Sequence, residues 1–159
     1  MSEHPLSDPA TPLLELTVTR LMQAPRSAVW RAFTDHLTEW WCPRPWTTEL
    51  IAQELRAGGR SSLVMHGPDG ESFPNEGVYL EVVPAERVVF TDAFTADWQP
   101  SGPFMVGIME LSDEAGGTRY TGHARHWRAE DAEKHRAMGF EDGWGKVAEQ
   151  WEEVARRLI

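Results

Sequence analysis

Residues 143–159 read GWGKVAEQWEEVARRLI, and the placing of the apolar members decides what the rest of the chain has to be. Trp144, Val147, Ala148, Trp151, Val154, Ala155 and Leu158 recur at the i, i+3, i+4, i+7 spacing of one helix face. Lys146, Glu149, Glu152, Glu153, Arg156 and Arg157 fall mostly on the opposite face. Upstream, acids gather at Glu130, Asp131 and Glu133 while arginines close the chain, an order that suits the helix dipole. Gly139 and Gly143 interrupt the upstream part, and each costs a helix interior about 1 kcal/mol relative to alanine. The pattern predicts a short helix from about Glu130, a break near Gly139, and a long amphipathic helix to the end. A helix with two tryptophans on its apolar face needs a broad surface to lie on.

The preceding residues supply that surface as strands. Leu14, Leu16 and Val18 alternate with Glu15, Thr17 and Thr19, which reads as a half-buried strand over Leu13–Met22. Pro25 opens a helix carrying Val29, Trp30 and Phe33, and a second short helix carries Leu37, Trp40 and Trp41 up to Pro43 and Pro45. Strands are then predicted at 48–55, 60–66, 77–83, 87–94, 104–111 and 118–126. Turn-forming clusters such as Gly67-Pro68-Asp69-Gly70 and Asp113–Gly117 separate them. Strands in series followed by a helix predict an α+β domain over residues 13–159, with a curved antiparallel sheet of about seven strands gripping the C-terminal helix. Space between helix and sheet is where a ligand would sit. Residues 1–12, with three prolines, are expected to form a frayed tail.

Composition narrows the function classes. With 15 basic against 25 acidic residues, the net charge of −10 disfavours phosphate backbones and anionic lipid surfaces, so neither nucleic acid nor membrane is an expected partner. Eight tryptophans against two tyrosines point to a bulky core or an aromatic-lined cavity. Cys42 is the single cysteine, so no intrachain disulfide forms, in keeping with a cytoplasmic location. The first twelve residues lack a basic n-region and an apolar h-region, so no signal peptide is expected. Phosphate-binding glycine loops and nucleophile elbows are missing, and no cofactor is expected. His123 and His126 stand three apart on a predicted strand, so they point to opposite faces and no metal site is expected.

An ordered series of short matches carries a family likeness: Thr19-Arg20, Ala24-Pro25-Arg26, Val29-Trp30, Ala32-Phe33-Thr34 and Trp40-Trp41 with Pro43. Leu55-Arg56-Ala57-Gly58-Gly59, Glu81-Val82-Val83-Pro84, Glu86-Arg87-Val88-Val89-Phe90-Thr91, Gly117-Thr118-Arg119-Tyr120-Thr121 and Met138-Gly139 with Gly143-Trp144 continue it. The run, over about residues 14–158, resembles the START-like (SRPBCC) superfamily, in the branch named for the activator of heat-shock-protein-90 ATPase. The resemblance implies the helix-grip fold and a hydrophobic small-molecule ligand. It also admits cyclase or dehydratase chemistry, or interaction with a chaperone and a role in the stress response. A homodimer is a further expectation.

Strand parity nominates the site. Val88 and Phe90 point inward, and a period of two carries Asp92 and Phe94 to the same side. Outward Arg119 sends Tyr120 and His126 inward. Asp92 and His126 are the most interesting polar pair this construction yields, an acid–base couple if they converge and rim residues if they do not. Tyr120 is a third proton-transfer candidate. Met65, Met138 and Trp144 are expected in the wall, as adaptable or flat surfaces. Trp40 and Trp41 are expected to divide, one packing beneath the short helices and one near the entrance. The lack of a recognisable catalytic apparatus favours a binding module over an enzyme.

Overall fold

The computed structural model describes residues 14–159; the tail expected over residues 1–12 lies outside the described residues. The chain runs through β1 (Glu15–Met22), α1 (Arg26–His36), β2 (Thr47–Gln53), β3 (Arg60–His66), β4 (Ser72–Val83) and β5 (Arg87–Thr91). A small hairpin of β6 (Phe94–Thr95) and β7 (Gln99–Pro100) follows, then β8 (Val106–Glu114), β9 (Gly117–Arg125), α2 (Ala129–Ala137) and α3 (Phe140–Arg157). Seven strands pair antiparallel in the order β1-β9-β8-β5-β4-β3-β2. The helix α3 lies across this sheet and packs on α1 and β1.

Local chemistry explains where elements stop. Pro25, with its fixed φ of −68°, stands immediately before α1. The second short helix expected here is a single 3-10 turn at Leu37–Glu39. It ends at Trp40, whose backbone leaves the helical region (φ −143°) and whose indole donates back to the Ala32 carbonyl at 2.9 Å. Gly139 adopts a φ of +95°, a left-handed conformation that glycine takes at little steric cost. That residue divides α2 from α3, which starts at Phe140, directly after the expected break. No described helix is long and apolar enough to cross a membrane.

The core lies between α1, α3 and the sheet. Trp40 and Trp151 stack with ring centroids 4.3 Å apart, and both are under 3% exposed. Two polar residues on α3 anchor it. Glu152, which periodicity puts on the solvent face, is buried and accepts from Arg20 Nε at 2.8 Å and from the Gln23 amide at 2.6 Å. Gln150 is also buried; its Nε2 donates to the carbonyls of Trp40 and Cys42, and its Oε1 accepts from the Arg44 amide. These bonds tie the crossing from α1 to β2 onto α3. Gln150→Ala would leave three backbone groups short of partners and is expected to lower stability by about 2 kcal/mol. Thermal unfolding followed by circular dichroism should show the midpoint about 4–8 °C lower.

Candidate functional site

A cavity of about 460 Å³ lies between α3 and the sheet, within the roughly 300–1,000 Å³ range of small-molecule sites. Trp144 and Val147 from α3, Trp41 from the α1–β2 crossing, Met65 from β3 and Phe90 from β5 form much of the wall. Glycines on two strands make room for two of its aromatic side chains. Phe90 sits over Gly107, its partner across the ladder, and a methyl group there would collide with the ring. The Tyr120 hydroxyl lies over Gly122 in the same way, with Trp144 beside it. Strand glycines mark such close approaches.

Seven of the ten residues nominated from sequence line the cavity: Trp40, Trp41, Met65, Phe90, Asp92, Tyr120 and Trp144. Trp40 is the tryptophan beneath α1, whereas Trp41 is half-buried and meets Phe90 edge-on at 5.9 Å. The other three lie elsewhere. Phe94 is on the β6–β7 hairpin, edge-on to Trp98 at 5.7 Å. The alternation that nominated it stops at Thr91, whose hydroxyl donates to the Met105 carbonyl and accepts from the Ala93 amide, turning the chain. Met138 follows α2 and is 69% exposed. His126 lies just past the end of β9 and is buried outside the cavity. Phe104, Met105 and Met109 line the cavity too and escaped nomination. Met109 was within reach, because it pairs with inward-facing Val88 across the ladder.

The acid–base couple of Asp92 and His126 does not form. Both Asp92 oxygens accept from the Phe104 amide, at 2.8 and 2.9 Å, and Oδ1 also meets the Met105 amide at 3.2 Å. The aspartate therefore shapes the segment leading into β8. His126 Nδ1 lies 2.9 Å from the Leu14 carbonyl, and its Nε2 lies 2.9 Å from His135 Nδ1. A carbonyl only accepts, so a neutral His126 carries its proton on Nδ1 and takes a hydrogen bond from His135. Burial, reinforced by His126, pushes the His135 pKa down to about 4. Phe104 bridges the two regions, lining the cavity while packing on both histidine rings.

Burial raises the pKa of the Tyr120 hydroxyl far above the usual phenol range, so it is a neutral hydrogen-bonding group, not a base at neutral pH. The Thr19 hydroxyl donates to the Tyr120 carbonyl, but no hydrogen bond among the described residues involves the Tyr120 hydroxyl, although the residue is 4% exposed. Burial also pushes the Cys42 thiol up, with the Thr48 hydroxyl 3.0 Å from its sulfur. A raised thiol pKa keeps the reactive thiolate scarce. A largely apolar, aromatic wall with the neutral Tyr120 hydroxyl and the Asp92 carboxylate among its polar groups is what this cavity offers a guest.

The family described as "Activator of Hsp90 ATPase homolog 1-like protein" matches residues 23–156. The chain belongs to that family. A crystal structure of a protein from Nitrosomonas europaea is similar over 91% of this chain and 95% of its own, with 36% identity and a TM-score of 0.86. A second, from Mycobacterium smegmatis, shares 26% identity over 92% of this chain and 93% of its own, with a TM-score of 0.79. The solution structure of an AHSA1-like protein from Aeromonas hydrophila has the same fold, with 18% identity over 91% of this chain and 93% of its own and a TM-score of 0.68. No curated protein matches this chain. The helix-grip arrangement of a seven-stranded sheet around α3 is therefore the AHSA1-like, START-like fold.

Proposed function

We propose that this AHSA1-like chain binds a small hydrophobic or aromatic molecule between α3 and the sheet. The observation that carries the reading is the cavity of about 460 Å³ with Tyr120 aimed into it. Filling that volume with packed side chains would add stability. Instead the volume is left unfilled, while two strand glycines let Phe90 and Tyr120 lie flat against the sheet as its floor. The guest would lie on the faces of Trp41, Phe90 and Trp144 and direct one uncharged polar atom at the Tyr120 hydroxyl.

Intact mass measured under non-denaturing conditions on protein purified from its host tests the reading, together with tryptophan fluorescence titrated against a panel of hydrophobic compounds. A co-purifying mass or saturable quenching is expected. Trp144→Ala should weaken binding about tenfold, since removing an aromatic face takes away about 1.4 kcal/mol of contact. No bound mass and no response across the panel would sink the proposal.

A further inference from the structure

We infer that the cavity selects by charge: it takes an aromatic amine, with the ammonium against Asp92, and rejects an aromatic carboxylate of the same shape. This rests on the binding reading above and adds the chemical class of the guest. No lysine, arginine or histidine is among the cavity-lining residues, whereas two acids, Glu76 and Asp92, are.

The two acids differ in what they present. Glu76 stands opposite Ser62 in the ladder, while Ser61, Leu63 and Met65 are the β3 residues on the cavity wall. Alternation thus sends the Glu76 carboxylate to the outer face, where it accepts from the Ser62 hydroxyl and pairs with Arg60 at 3.0 Å. Its charge is neutralised there. Asp92 has no ion pair among the described residues; its contacts are the amides of Phe104 and Met105. Backbone amides hold a carboxylate in place without cancelling its net charge. Two carboxylate oxygens offer about four lone-pair directions, so a further donor can still reach Asp92. His135, behind Phe104, is uncharged at neutral pH and supplies no countercharge.

The rest of the wall favours the same guest. Trp41, Phe90 and Trp144 present aromatic faces, whose quadrupoles attract cations and repel anions. The net charge of −10 acts in the same sense from further away, but at about 0.15 M salt it is screened beyond about 8 Å, leaving the local carboxylate to decide. The Tyr120 hydroxyl, without a hydrogen-bond partner among the described residues, answers a neutral polar atom in the body of the ligand.

Three probes of one shape test this: naphthylmethylamine, naphthylmethanol and naphthoate, titrated by calorimetry at neutral pH and about 0.15 M salt. The amine is expected to bind at least tenfold tighter than the carboxylate, with the alcohol between them. Trp144→Ala should weaken amine and alcohol together, which places both in the cavity. Asp92→Asn keeps an oxygen for the Phe104 and Met105 amides and should bring the amine to within about twofold of the alcohol; a thermal melt checks that the variant is folded. Naphthoate binding as tightly as the amine would overturn charge selection, and so would an amine preference that survives Asp92→Asn. The binding reading would stand in either case, because the alcohol still binds. Silence from all three probes would overturn both.

Discussion

Trp151→Ala is expected to lower the unfolding free energy by about 3–5 kcal/mol, the range for deleting a large buried aromatic side chain. Trp151 lies flat on Trp40 at 4.3 Å with the planes 4° apart, meets Tyr120 edge-on at 5.2 Å and sits 6.3 Å from Phe33. Its indole nitrogen donates to the Val29 carbonyl at 2.9 Å, pinning α3 to α1. The substitution therefore removes three aromatic contacts and one hydrogen bond at the place where helix, helix and sheet meet. Collapse of the void is resisted on one side by Trp40, held through its own bond to the Ala32 carbonyl. For a chain of this size the midpoint of thermal unfolding should fall by about 10 °C or more. Chemical denaturation read by far-ultraviolet circular dichroism gives the free energy directly. A loss below about 1 kcal/mol would mean that this stack does not hold α3, and Trp151→Phe should recover part of any larger loss. Trp144→Ala offers the contrast, since Trp144 is half-buried on the cavity wall and its removal should weaken binding more than folding.

What could be read ahead of the structure follows from how local the governing physics is. The face of α3 and the break at Gly139 were legible because helix periodicity and a left-handed glycine are properties of a few consecutive residues. Parity on β5 and β9 was legible for Phe90 and Tyr120, and it failed where a strand ended early. The bond from the Thr91 hydroxyl to Met105 reaches 14 residues along the chain, so sequence gives no warning that β5 stops there. The beginning of β4 was hidden for another reason. Ser72–Glu76 is exposed and includes Pro74, which argues against a strand with two neighbours. Yet β5 pairs only with residues 78–83, so Pro74 lies on a stretch with one free edge, where proline is tolerated. The partners of Asp92 and His126 were out of reach of parity altogether. Each is set by a loop or helix arriving from another element.

The meeting of His126 and His135 makes stability depend on pH above the range of ordinary acid unfolding. His135 is 8% exposed, and burial with the neighbouring His126 pushes its pKa from 6.5 down to about 4. In the unfolded chain this ring takes up a proton near pH 6.5, whereas in the folded protein it resists until about pH 4. Between those values the unfolded state binds more protons, so stability rises with pH there. The contribution is intact above pH 6.5 and is lost progressively as pH falls toward 4. Its size is at most about 3.5 kcal/mol, at roughly 1.4 kcal/mol per pKa unit. The rings facing the pair, Phe104, Phe140 and Trp144, carry no charge that could stabilise an imidazolium. Asp92 is engaged by the Phe104 and Met105 amides, and Asp131 on α2 by Arg128. Carboxyls held below their usual range, at Glu15, Glu39, Glu76 and Asp113, also lose stabilisation in acid, but only below their ordinary values of 4.5 and 3.8. A decline that starts near pH 6 therefore reports on histidine. His135→Gln retains a donor for His126 Nε2 and removes one titrating ring, so denaturant unfolding of this variant should be flatter between pH 6.5 and 4 than that of the parent. An unchanged slope would assign the effect to another group. Because Phe104 packs on both rings and also lines the cavity, binding of the neutral naphthylmethanol to the folded protein should hold steady while His135 stays neutral and weaken only as pH nears 4, where the folded-state ring takes up its proton; His135→Gln should remove that weakening.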